Sequence, residues 1–425
     1  MHKVLVIAYY FPPMGLSGVQ RTLKFIKYLR NYGWEPTVIT TTDIAYFAHD
    51  TSLQKELDET GIRVFRVAGS EPNSLLSRQG TIKLPSEFVR KTFNRLSQIF
   101  FIPDNKLSWS KKAYKKALEI LSNEHFDCLF ISGPPFSQFD VFSEIKKIHN
   151  IPLILDYRDL WVDSYFSFYP TPFHRIAHKK KEYQSLKAAD IITVTNRKLK
   201  ENLINSYKFL TFNDVTIVSH GYDQEDFDKI PAQPKPQNKM VIMYSGIFLV
   251  YCTPEHFLQA FKKLSIERTD IASNIELHFV GFLRKENQKL IRKLNLQSFV
   301  KDHGYVNHAE SIAKLKSADA LWFMVGRRKN IDTILPGKVY EYIGSKKPII
   351  ACVPEGAAKI AVAEYQAAFI TEPDNIEQIK HAIIQVYNLY KEGKLPVPDE
   401  KFVESFRRDL LTEQLAKQMN KVLRV

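Results

Sequence analysis

The sequence alternates short apolar runs rich in β-branched residues with longer stretches of helical periodicity, and it does so twice. Such runs are typical of parallel strands that are buried on both faces and connected by crossover helices. The first series spans residues 4–218 and the second spans residues 241–352. Residues 229–239, with three prolines and no periodicity, are predicted to form a linker. The pattern therefore predicts an α/β protein of two Rossmann-like, doubly wound domains.

The strand pattern also predicts the domain limits and the place where ligands bind. We expect a first domain over residues 1–230, a second domain over residues 240–400, and a last helix over residues 401–425 that could cross back to the first domain. The predicted strands are residues 4–8, 35–40, 63–67, 128–132, 153–156, 191–195 and 215–218, then 241–245, 275–280, 300–305, 320–324 and 348–352. Two such domains are expected to face a cleft at the carboxyl ends of their strands.

Composition excludes several classes of protein. Hydrophobic residues make up 44% of the 425 residues and charged residues 25%, which is typical of globular chains. Cys128, Cys252 and Cys352 are far apart, so no disulfide framework is indicated, and without a Cys-x-x-Cys or HExxH pattern we expect no metal site. The first apolar run ends at Pro12, too early for a signal peptide or a membrane span. We therefore expect a cytoplasmic protein.

A glycine-bearing turn follows the first predicted strand. Gly15 and Gly18 lie in the segment FPPMGLSGVQR, which leads into the first predicted helix. Glycines at a helix amino terminus let backbone N–H groups approach an anionic ligand. The segment is neither a Walker loop nor a complete GxGxxG fingerprint. Both a phosphate site and a plain strand-to-helix turn are compatible with it.

A second polar motif lies in the segment LPGKVYEYIGSKKPII at residues 335–350. Lys338 and Glu341 are three residues apart and share one face of a predicted short helix. The carboxylate could accept hydrogen bonds from a ribose diol while the cation contacts a phosphate. The alternative is an exposed ion pair, which would contribute little.

Six blocks in this order resemble the retaining glycosyltransferases of family 4, which have the two-domain GT-B fold, and in particular their bacterial polysaccharide branch. The blocks are YYFPPMGLSGVQR, SGPPFS, DYRDLW, VSHGYD, YSG and PGKVYEYIGSKKPII. The resemblance implies metal-independent hexosyl transfer, with retention, from a nucleotide-diphosphate sugar, UDP- or GDP-linked. It also implies that residues 1–230 form the acceptor domain and residues 240–400 the nucleotide-sugar donor domain. The donor is a substrate, and no separate cofactor is expected.

The resemblance also implies roles for individual residues. Glu341 matches the second acid of the family's Glu-x7-Glu motif, which holds the ribose hydroxyls. Thr333 stands in place of the first acid, with Asp332 beside it, and Lys338 is expected to take over part of that electrostatic task. Gly15 and Gly18 match the loop that leaves room for the diphosphate.

The phosphate-binding cation is less obvious. Gly246 belongs to the Tyr-Ser-Gly block, and the loop that follows it, residues 248–253, contains no Arg or Lys where relatives often have one. Because a departing diphosphate needs cations, we propose Arg327 and Arg328 as substitutes. A solvated loop is the alternative for both.

Three charged residues come at the end of a predicted strand. Asp156 and Asp159 are expected to position the acceptor hydroxyl or to shield a cationic sugar, with Arg158 keeping one carboxylate ionised. A purely structural Asp-Arg-Asp network is the alternative. Retention suggests that the leaving phosphate takes the acceptor proton, so a two-carboxylate pair is not required.

The formal charge of +14 is concentrated in part in a basic stretch of the first domain. Its cations are Arg78, Lys83, Arg90, Lys91, Arg95, Lys106, Lys111, Lys112, Lys115 and Lys116, interleaved with Phe88, Phe93, Phe100, Phe101 and Trp109. A basic, aromatic surface favours an anionic membrane, whereas solvated amphipathic helices are the alternative. A peripheral position on the inner face of the plasma membrane is the resulting hypothesis.

Two other functions compete with this interpretation. The charge prompts nucleic-acid binding, but no helix-turn-helix, RRM or zinc pattern is present, so no nucleic-acid partner is expected. A nucleotide-sugar 2-epimerase would have the same fold. We predict a retaining glycosyltransferase that acts on a glycan or lipid-linked acceptor in surface polysaccharide or glycolipid biosynthesis.

Overall fold

The computed structural model describes residues 1–44, 46, 48–70, 87–248 and 252–423, without the side chains of residues 87–91 and 94. The chain divides into two compact units. The first unit is Met1–His220 with Arg408–Val425, and the second is Gly221–Arg407. Residues 221–230 thus belong to the second unit rather than to the first, where they were expected.

A parallel seven-stranded sheet forms the centre of the first unit, in the order β3-β2-β1-β4-β5-β6-β7. The strands are β1 (His2–Ile7), β2 (Trp34–Thr41), β3 (Arg63–Val67), β4 (Cys128–Gly133), β5 (Leu153–Tyr157), β6 (Ile191–Val194) and β7 (Val215–Ile217). The helices are α1 (Ser17–Leu29), α2 (Thr51–Thr60), α3 (Glu87–Phe100), α4 (Leu107–Asn123), α5 (Ser137–Phe142), α6 (Pro172–Ala188) and α7 (Arg197–Ser206).

The second unit contains a parallel six-stranded sheet in the order β10-β9-β8-β11-β12-β13. Its strands are β8 (Met240–Ser245), β9 (Ile275–Val280), β10 (Val300–Asp302), β11 (Ala320–Met324), β12 (Ile349–Cys352) and β13 (Ala368–Thr371). Its helices are α8 (Gln224–Lys229), α9 (Glu255–Glu267), α10 (Thr269–Ala272), α11 (Lys285–Lys293), α12 (His308–Ser317), α13 (Lys338–Ser345), α14 (Ala357–Glu364), α15 (Ile376–Lys391) and α16 (Glu400–Glu404).

These sheets confirm the predicted α/β class and each predicted strand. β10 is shorter than expected, and β13 was not predicted because its four residues are only partly buried and lack a long apolar run. The continuous helix expected near the carboxyl terminus is two helices, α16 and α17 (Arg408–Val422). They are separated where Phe406 O accepts a hydrogen bond from Tyr222 N at 3.0 Å.

The last helix returns to the first unit. Leu411, Leu415 and Met419 of α17 are buried in the core of the seven-stranded sheet. Trp34 Nε1 also donates to Asn420 Oδ1 at 2.9 Å. The apolar side of α17 thus packs on the first unit, which is the position considered for a last helix that crosses back.

Strand order determines which loops can form a binding site. Strand order reverses between β1 and β4 in the first sheet and between β8 and β11 in the second. At such switch points the loops on the two sides diverge and leave a crevice at the carboxyl edge of the sheet. The loops after β1, β4, β8 and β11 are therefore the candidate ligand-binding segments.

No helix within the described ranges is both long enough and apolar enough to span a bilayer.

Candidate functional site

The carboxylate of Asp156 lies at the end of β5 and is paired with Arg21 of α1. Arg21 donates from Nη2 to Oδ1 at 2.7 Å and from Nε to Oδ2 at 3.0 Å. Thr193 and Ser132 donate to the same carboxylate at 2.7 and 2.9 Å. Burial opposes ionisation, but the charge of Arg21 and these hydrogen bonds outweigh it and hold the pKa of Asp156 below its ordinary value.

This geometry corrects the role predicted for Asp156. The side chains of Asp156 and Arg21 are wholly buried, and the two carboxylate oxygens together accept four hydrogen bonds. Arg21 additionally donates to the backbone oxygens of Val218 and Ser219 at 2.8 and 2.7 Å. The pair therefore joins α1, β5 and the segment after β7, which is the structural alternative, and Asp156 has no open lone pair for an acceptor hydroxyl.

Arg158 holds the loop after β4. Its backbone N–H and its Nε donate to Gly133 O at 3.1 and 3.2 Å, and its Nη2 donates to Pro134 O. The guanidinium lies against the first turn of α1, because a Cβ on Gly18 would be 2.2 Å from Arg158 Nη1. Arg21, rather than Arg158, keeps Asp156 ionised.

The amino terminus of α1 and Arg158 place positive charge at one point. A helix amino terminus carries partial positive charge, and burial lowers the pKa of Arg158. An anion bound there would offset the partial positive charge of the helix end and would stabilise the buried guanidinium of Arg158. The N–H of Gly15 donates to Ala48 O at 2.7 Å, so this amide is not available to an anion. Its predicted part in leaving room for the diphosphate stays a prediction.

Asp159 differs from Asp156 in its electrostatic environment. Burial raises the pKa of Asp159, and the charge of Arg158 partly offsets the effect. A carboxyl with a raised pKa can hold or exchange a proton nearer to neutral pH than an ordinary aspartate. The role expected for Asp159 toward an acceptor hydroxyl stays a prediction.

In the second unit, Lys338 begins α13 and lies over the ring of Tyr244, near the end of β8. Its Nζ is 3.7 Å from the ring centroid and donates to the Tyr244 hydroxyl. Burial lowers the pKa of Lys338 to about 8. Gly246 has a φ of +130°, and a Cβ on it would lie 3.3 Å from Lys338 Cδ. Position 246 thus needs glycine for its backbone conformation and for the close approach of the lysine.

Glu341 lies one turn after Lys338 and is oriented by a histidine. Its Oε1 is 3.5 Å from Nδ1 of His308, whose Nε2 is 2.8 Å from Oδ2 of Asp226. All three side chains are largely buried. Since a carboxylate accepts several hydrogen bonds, the contact with His308 leaves capacity for a diol. The alternative of an exposed Lys338–Glu341 ion pair does not describe this helix.

A tyrosine anchors α13 to β8. Ser245 N donates to the Tyr342 hydroxyl at 2.7 Å, and both residues are buried. Because Ser245 directly precedes Gly246, this hydrogen bond ties the loop after β8 to the helix that carries Lys338 and Glu341. The structure therefore brings together three of the residues that the sequence proposed for donor binding.

The other predicted donor contacts are less favourable. Arg327 is exposed and paired with Asp374 at 3.1 Å and with Glu372. These acids compensate part of its charge, and its phosphate role stays a prediction. Arg328 is exposed, and its role stays a prediction. Thr333 is buried, so a hydroxyl occupies the position of the family's first acid. Residues 249–251 of the predicted phosphate loop lie outside the described residues.

The basic, aromatic face expected near residues 84–120 is only partly present. Trp109 is wholly buried, edge-on to Tyr9 with ring centroids 5.0 Å apart, and Lys106 is buried with its cation 4.9 Å from the same ring centroid. These two side chains belong to the core and do not form part of a surface. Phe93, Phe100 and Phe101 are exposed. Arg78 and Lys83, and the side chains of Phe88, Arg90 and Lys91, lie outside the described part of the chain.

Sequence reasoning missed the partners of the predicted residues. Arg21 was part of a quoted block, yet helical spacing alone does not indicate that it pairs with Asp156. His308 lies 33 positions before Glu341, outside every motif that the sequence analysis describes. A buried charge requires a partner of opposite charge or hydrogen bonds. This requirement is the one signal that could have prompted a search for Arg21 and His308.

Two family models match adjoining parts of the chain. Residues 17–226 match the model described as Glycosyltransferase Family 4, and residues 225–395 match the model described as Glycosyl transferases group 1. No curated protein matches the sequence.

Solved structures share the fold at low sequence identity. A sucrose-phosphate synthase from Thermosynechococcus elongatus has a TM-score of 0.66 at 12% identity, with 99% of each chain covered. The Anabaena protein HepE in complex with UDP-glucose has a TM-score of 0.64 at 14% identity, covering 99% of this chain and 100% of that chain. A putative UDP-N-acetylglucosamine 2-epimerase from Listeria monocytogenes has a TM-score of 0.56 at 11% identity, with 97% and 94% covered.

At these identities the structural likeness establishes the fold alone, and the assignment to a family rests on the two family models. Together they account for residues 17–395, and the chain belongs to the family 4 glycosyltransferases with the GT-B fold.

Proposed function

We propose that this glycosyltransferase is a retaining, metal-independent enzyme that moves a hexosyl group from a UDP- or GDP-linked sugar to a glycan or lipid-linked acceptor. Its product would belong to a surface polysaccharide or glycolipid, made on the cytoplasmic side at the inner face of the plasma membrane. The observation that supports donor binding is the grouping of Gly246, Lys338 and Glu341 at the switch point of the second sheet.

Each member of this group suits one part of a nucleotide sugar. Glu341, oriented by His308, would accept hydrogen bonds from the two ribose hydroxyls. Lys338 would face the diphosphate, and an anion beside it would raise its pKa and keep the ammonium charged. Gly246 has no side chain, so a ligand can approach the backbone at this position of the loop after β8.

In the first unit, Arg158 and the amino terminus of α1 would bind a phosphate oxygen. This assignment follows from two positive groups that lie together around Gly18. Arg21 and Asp156 would have a positioning role, because they connect α1 to the strand that precedes Arg158.

The proposed chemistry needs no carboxylate nucleophile. The bond from the anomeric carbon to the phosphate oxygen breaks, and the acceptor oxygen bonds to that carbon on the same face. The acceptor proton passes to the departing phosphate, whose negative charge Lys338 would stabilise. Asp159 would orient the acceptor hydroxyl.

The UDP-glucose complex of the Anabaena relative supports a uridine nucleotide as the first donor to test. The fold is also shared with a putative 2-epimerase, so the reaction must be measured as well as the binding. Thermal unfolding with a panel of UDP, GDP, ADP and CMP sugars would identify the donor, because a bound ligand stabilises the folded state.

Glu341→Ala is expected to weaken binding of that donor by about tenfold to a hundredfold, the effect of losing hydrogen bonds to a charged acceptor. Lys338→Gln is expected to weaken it similarly through loss of the cation. Lys346→Gln and Glu400→Ala are matched controls, because these residues form an exposed pair at the other end of α13, and both should bind the donor normally.

Unchanged donor affinity and transfer in Glu341→Ala would refute the ribose assignment. Free nucleotide that appears only with a glycan or lipid-linked acceptor is the expected product pattern. An isomerised donor formed without acceptor would instead establish the epimerase, and inversion at the anomeric carbon of the product would exclude the retaining route.

A further inference from the structure

The short helix α8 brings a carboxylate to the histidine that contacts Glu341. Asp226 Oδ2 lies 2.8 Å from Nε2 of His308, whose Nδ1 lies 3.5 Å from Oε1 of Glu341. The three side chains are 17%, 8% and 13% exposed, and all belong to the second unit. The sequence placed residues 221–230 in the first domain, so Asp226 was not considered for donor binding.

Contacts on two sides fix α8 within the second unit. Lys316 of α12 donates from Nζ to the backbone oxygens of Phe227 and Ile230 at 2.5 and 2.6 Å. The ring of Tyr222, which shortly precedes α8, packs on α13, because a Cβ on Gly344 would lie 2.4 Å from Tyr222 Cγ. The segment that carries Asp226 is therefore held against both α12 and α13, the helices that carry the histidine and the acid.

The two ring nitrogens of His308 each contact a carboxylate, and this arrangement determines what the ring can do. A neutral imidazole has one N–H and one lone pair, so both contacts are attractive only when each nitrogen carries a proton. The negative charge of Asp226 favours that form of the ring. Its hydrogen bond at Nε2 also sets the ring orientation, as a partner on one nitrogen does for the other. The Nδ1 proton is then directed toward Glu341.

We propose that Asp226 and His308 are positioning residues of the donor site, which hold the Glu341 carboxylate where it can receive both ribose hydroxyls. The inference rests on the proposed function, in which Glu341 binds the ribose. The alternative is an ion pair that only secures the packing of α8. That pair would matter for folding but would not distinguish a nucleotide with ribose hydroxyls from one without them.

Calorimetric binding of UDP and of dideoxy-UDP, which lacks both ribose hydroxyls, separates the two interpretations. The full unmodified chain is expected to prefer UDP by about tenfold to a hundredfold, the effect of hydrogen bonds to a charged acceptor. Asp226→Ala should weaken UDP binding by about tenfold and should leave dideoxy-UDP binding nearly unchanged. His308→Gln should give the same pattern. The guanosine pair replaces these ligands if the donor panel selects GDP.

A double variant tests whether Asp226 acts through Glu341. If it does, Asp226→Ala combined with Glu341→Ala should bind UDP no more weakly than Glu341→Ala alone, because the two losses are then coupled. In transfer assays Asp226→Ala should raise KM for the donor and leave kcat nearly unchanged, since the ribose is remote from the reacting atoms. Asp228→Ala is the matched control, because Asp228 is an exposed acid on the same helix that accepts from Gln224 Nε2 at 2.8 Å. It should bind UDP normally.

An equal loss of UDP and dideoxy-UDP binding in Asp226→Ala would overturn the proposal, as would a loss that adds in full to that of Glu341→Ala. Dideoxy-UDP binding also shows that a variant is folded, and His308→Gln answers the same question if Asp226→Ala does not fold. A preference for UDP that Glu341→Ala abolishes and Asp226→Ala retains rejects only this inference. An unmodified chain without any preference for the ribose hydroxyls rejects the ribose assignment of the proposed function.

Discussion

The guanidinium of Arg158 fills the space next to Gly18. Gly18 is therefore important for the room it leaves, and not for backbone flexibility. Gly18 is the second residue of α1, where its backbone is helical and glycine is a poor choice for stability. The advantage of glycine lies in the missing Cβ, which would otherwise meet Arg158 Nη1 at 2.2 Å. We expect the position to be required for the proposed phosphate contact and to be dispensable for folding.

Gly18→Ala is therefore predicted to separate function from stability. The added methyl would displace the end of a flexible side chain, so transfer should fall by about tenfold to a hundredfold as a charged hydrogen bond is lost. The free energy of unfolding should change by no more than about 1 kcal/mol, because the higher helix propensity of alanine opposes the weakening of the Arg158 hydrogen bonds to the loop after β4. Urea unfolding and transfer rates measured on the same preparation check both. Gly393→Ala, at a φ of +68° in the second unit, is the contrasting control that should lose stability without losing activity. A Gly18→Ala protein with normal transfer would contradict the assigned contact.

At the scale of elements, a buried acid anchors α6 to the rest of the first unit. Glu182 Oε2 accepts a hydrogen bond from the Tyr207 hydroxyl at 2.6 Å, which ties α6 to the end of α7. Burial raises the pKa of Glu182 to about 8, above its ordinary value of 4.5. The folded protein therefore holds this proton more tightly than the unfolded chain does. This contribution to stability is complete below pH 4.5 and is lost as the pH rises through about 8.

Glu182→Gln should remove this pH dependence, because the amide stays neutral and can still accept the hydrogen bond from Tyr207. Relative to the unmodified protein, the variant should gain on the order of 3 kcal/mol in unfolding free energy between pH 5 and pH 8.5. Urea unfolding at both pH values measures the effect, and Glu201→Gln, an exposed acid on α7 paired with Arg197, should change little. Parallel pH profiles for Glu182→Gln and the unmodified chain would show that Glu182 is not protonated in the fold.

At the scale of the whole molecule, the chain builds two separate hydrophobic cores, one under each sheet. The first core includes α17, so the two ends of the chain belong to the same unit. The second core supports β8 and α13, which carry the proposed donor site. A ligand that binds the second unit should therefore stabilise that unit before any effect on the first.

Hydrogen exchange with saturating UDP is predicted to report this local stabilisation. At a ligand concentration of a hundred times Kd the gain is about 2.7 kcal/mol, and it should appear as slower exchange in residues 244–248, 308–312 and 338–343. Exchange in β6 and α7 of the first unit should not change. The Glu341→Ala protein at the same UDP concentration is the control and should show little protection. Slower exchange confined to the first unit would place the nucleotide elsewhere.

Local sequence patterns predicted the two series of strands and helices, the glycine turn before α1, and the Lys338–Glu341 pair, because each of these is encoded by neighbours within a few residues. Periodicity of burial predicts a strand or a helix locally, and a spacing of three places two side chains on one helix face. The same local information also supported the resemblance to family 4, since its motifs are short continuous segments. The limits of β10 and the division of the last helix were missed, because strand pairing and a contact with Tyr222 decide them.

Contacts between groups that are distant in the sequence depend on how the chain folds. Asp156 is separated from Arg21 by 135 positions, so no local pattern could show that its carboxylate is fully occupied. Trp109 lies in a basic stretch of the sequence, which suggested an exposed ring. Its packing on Tyr9 places it in the core. In each case the order of strands in the sheet sets the neighbours, and burial then determines whether a charge is paired or a ring is covered.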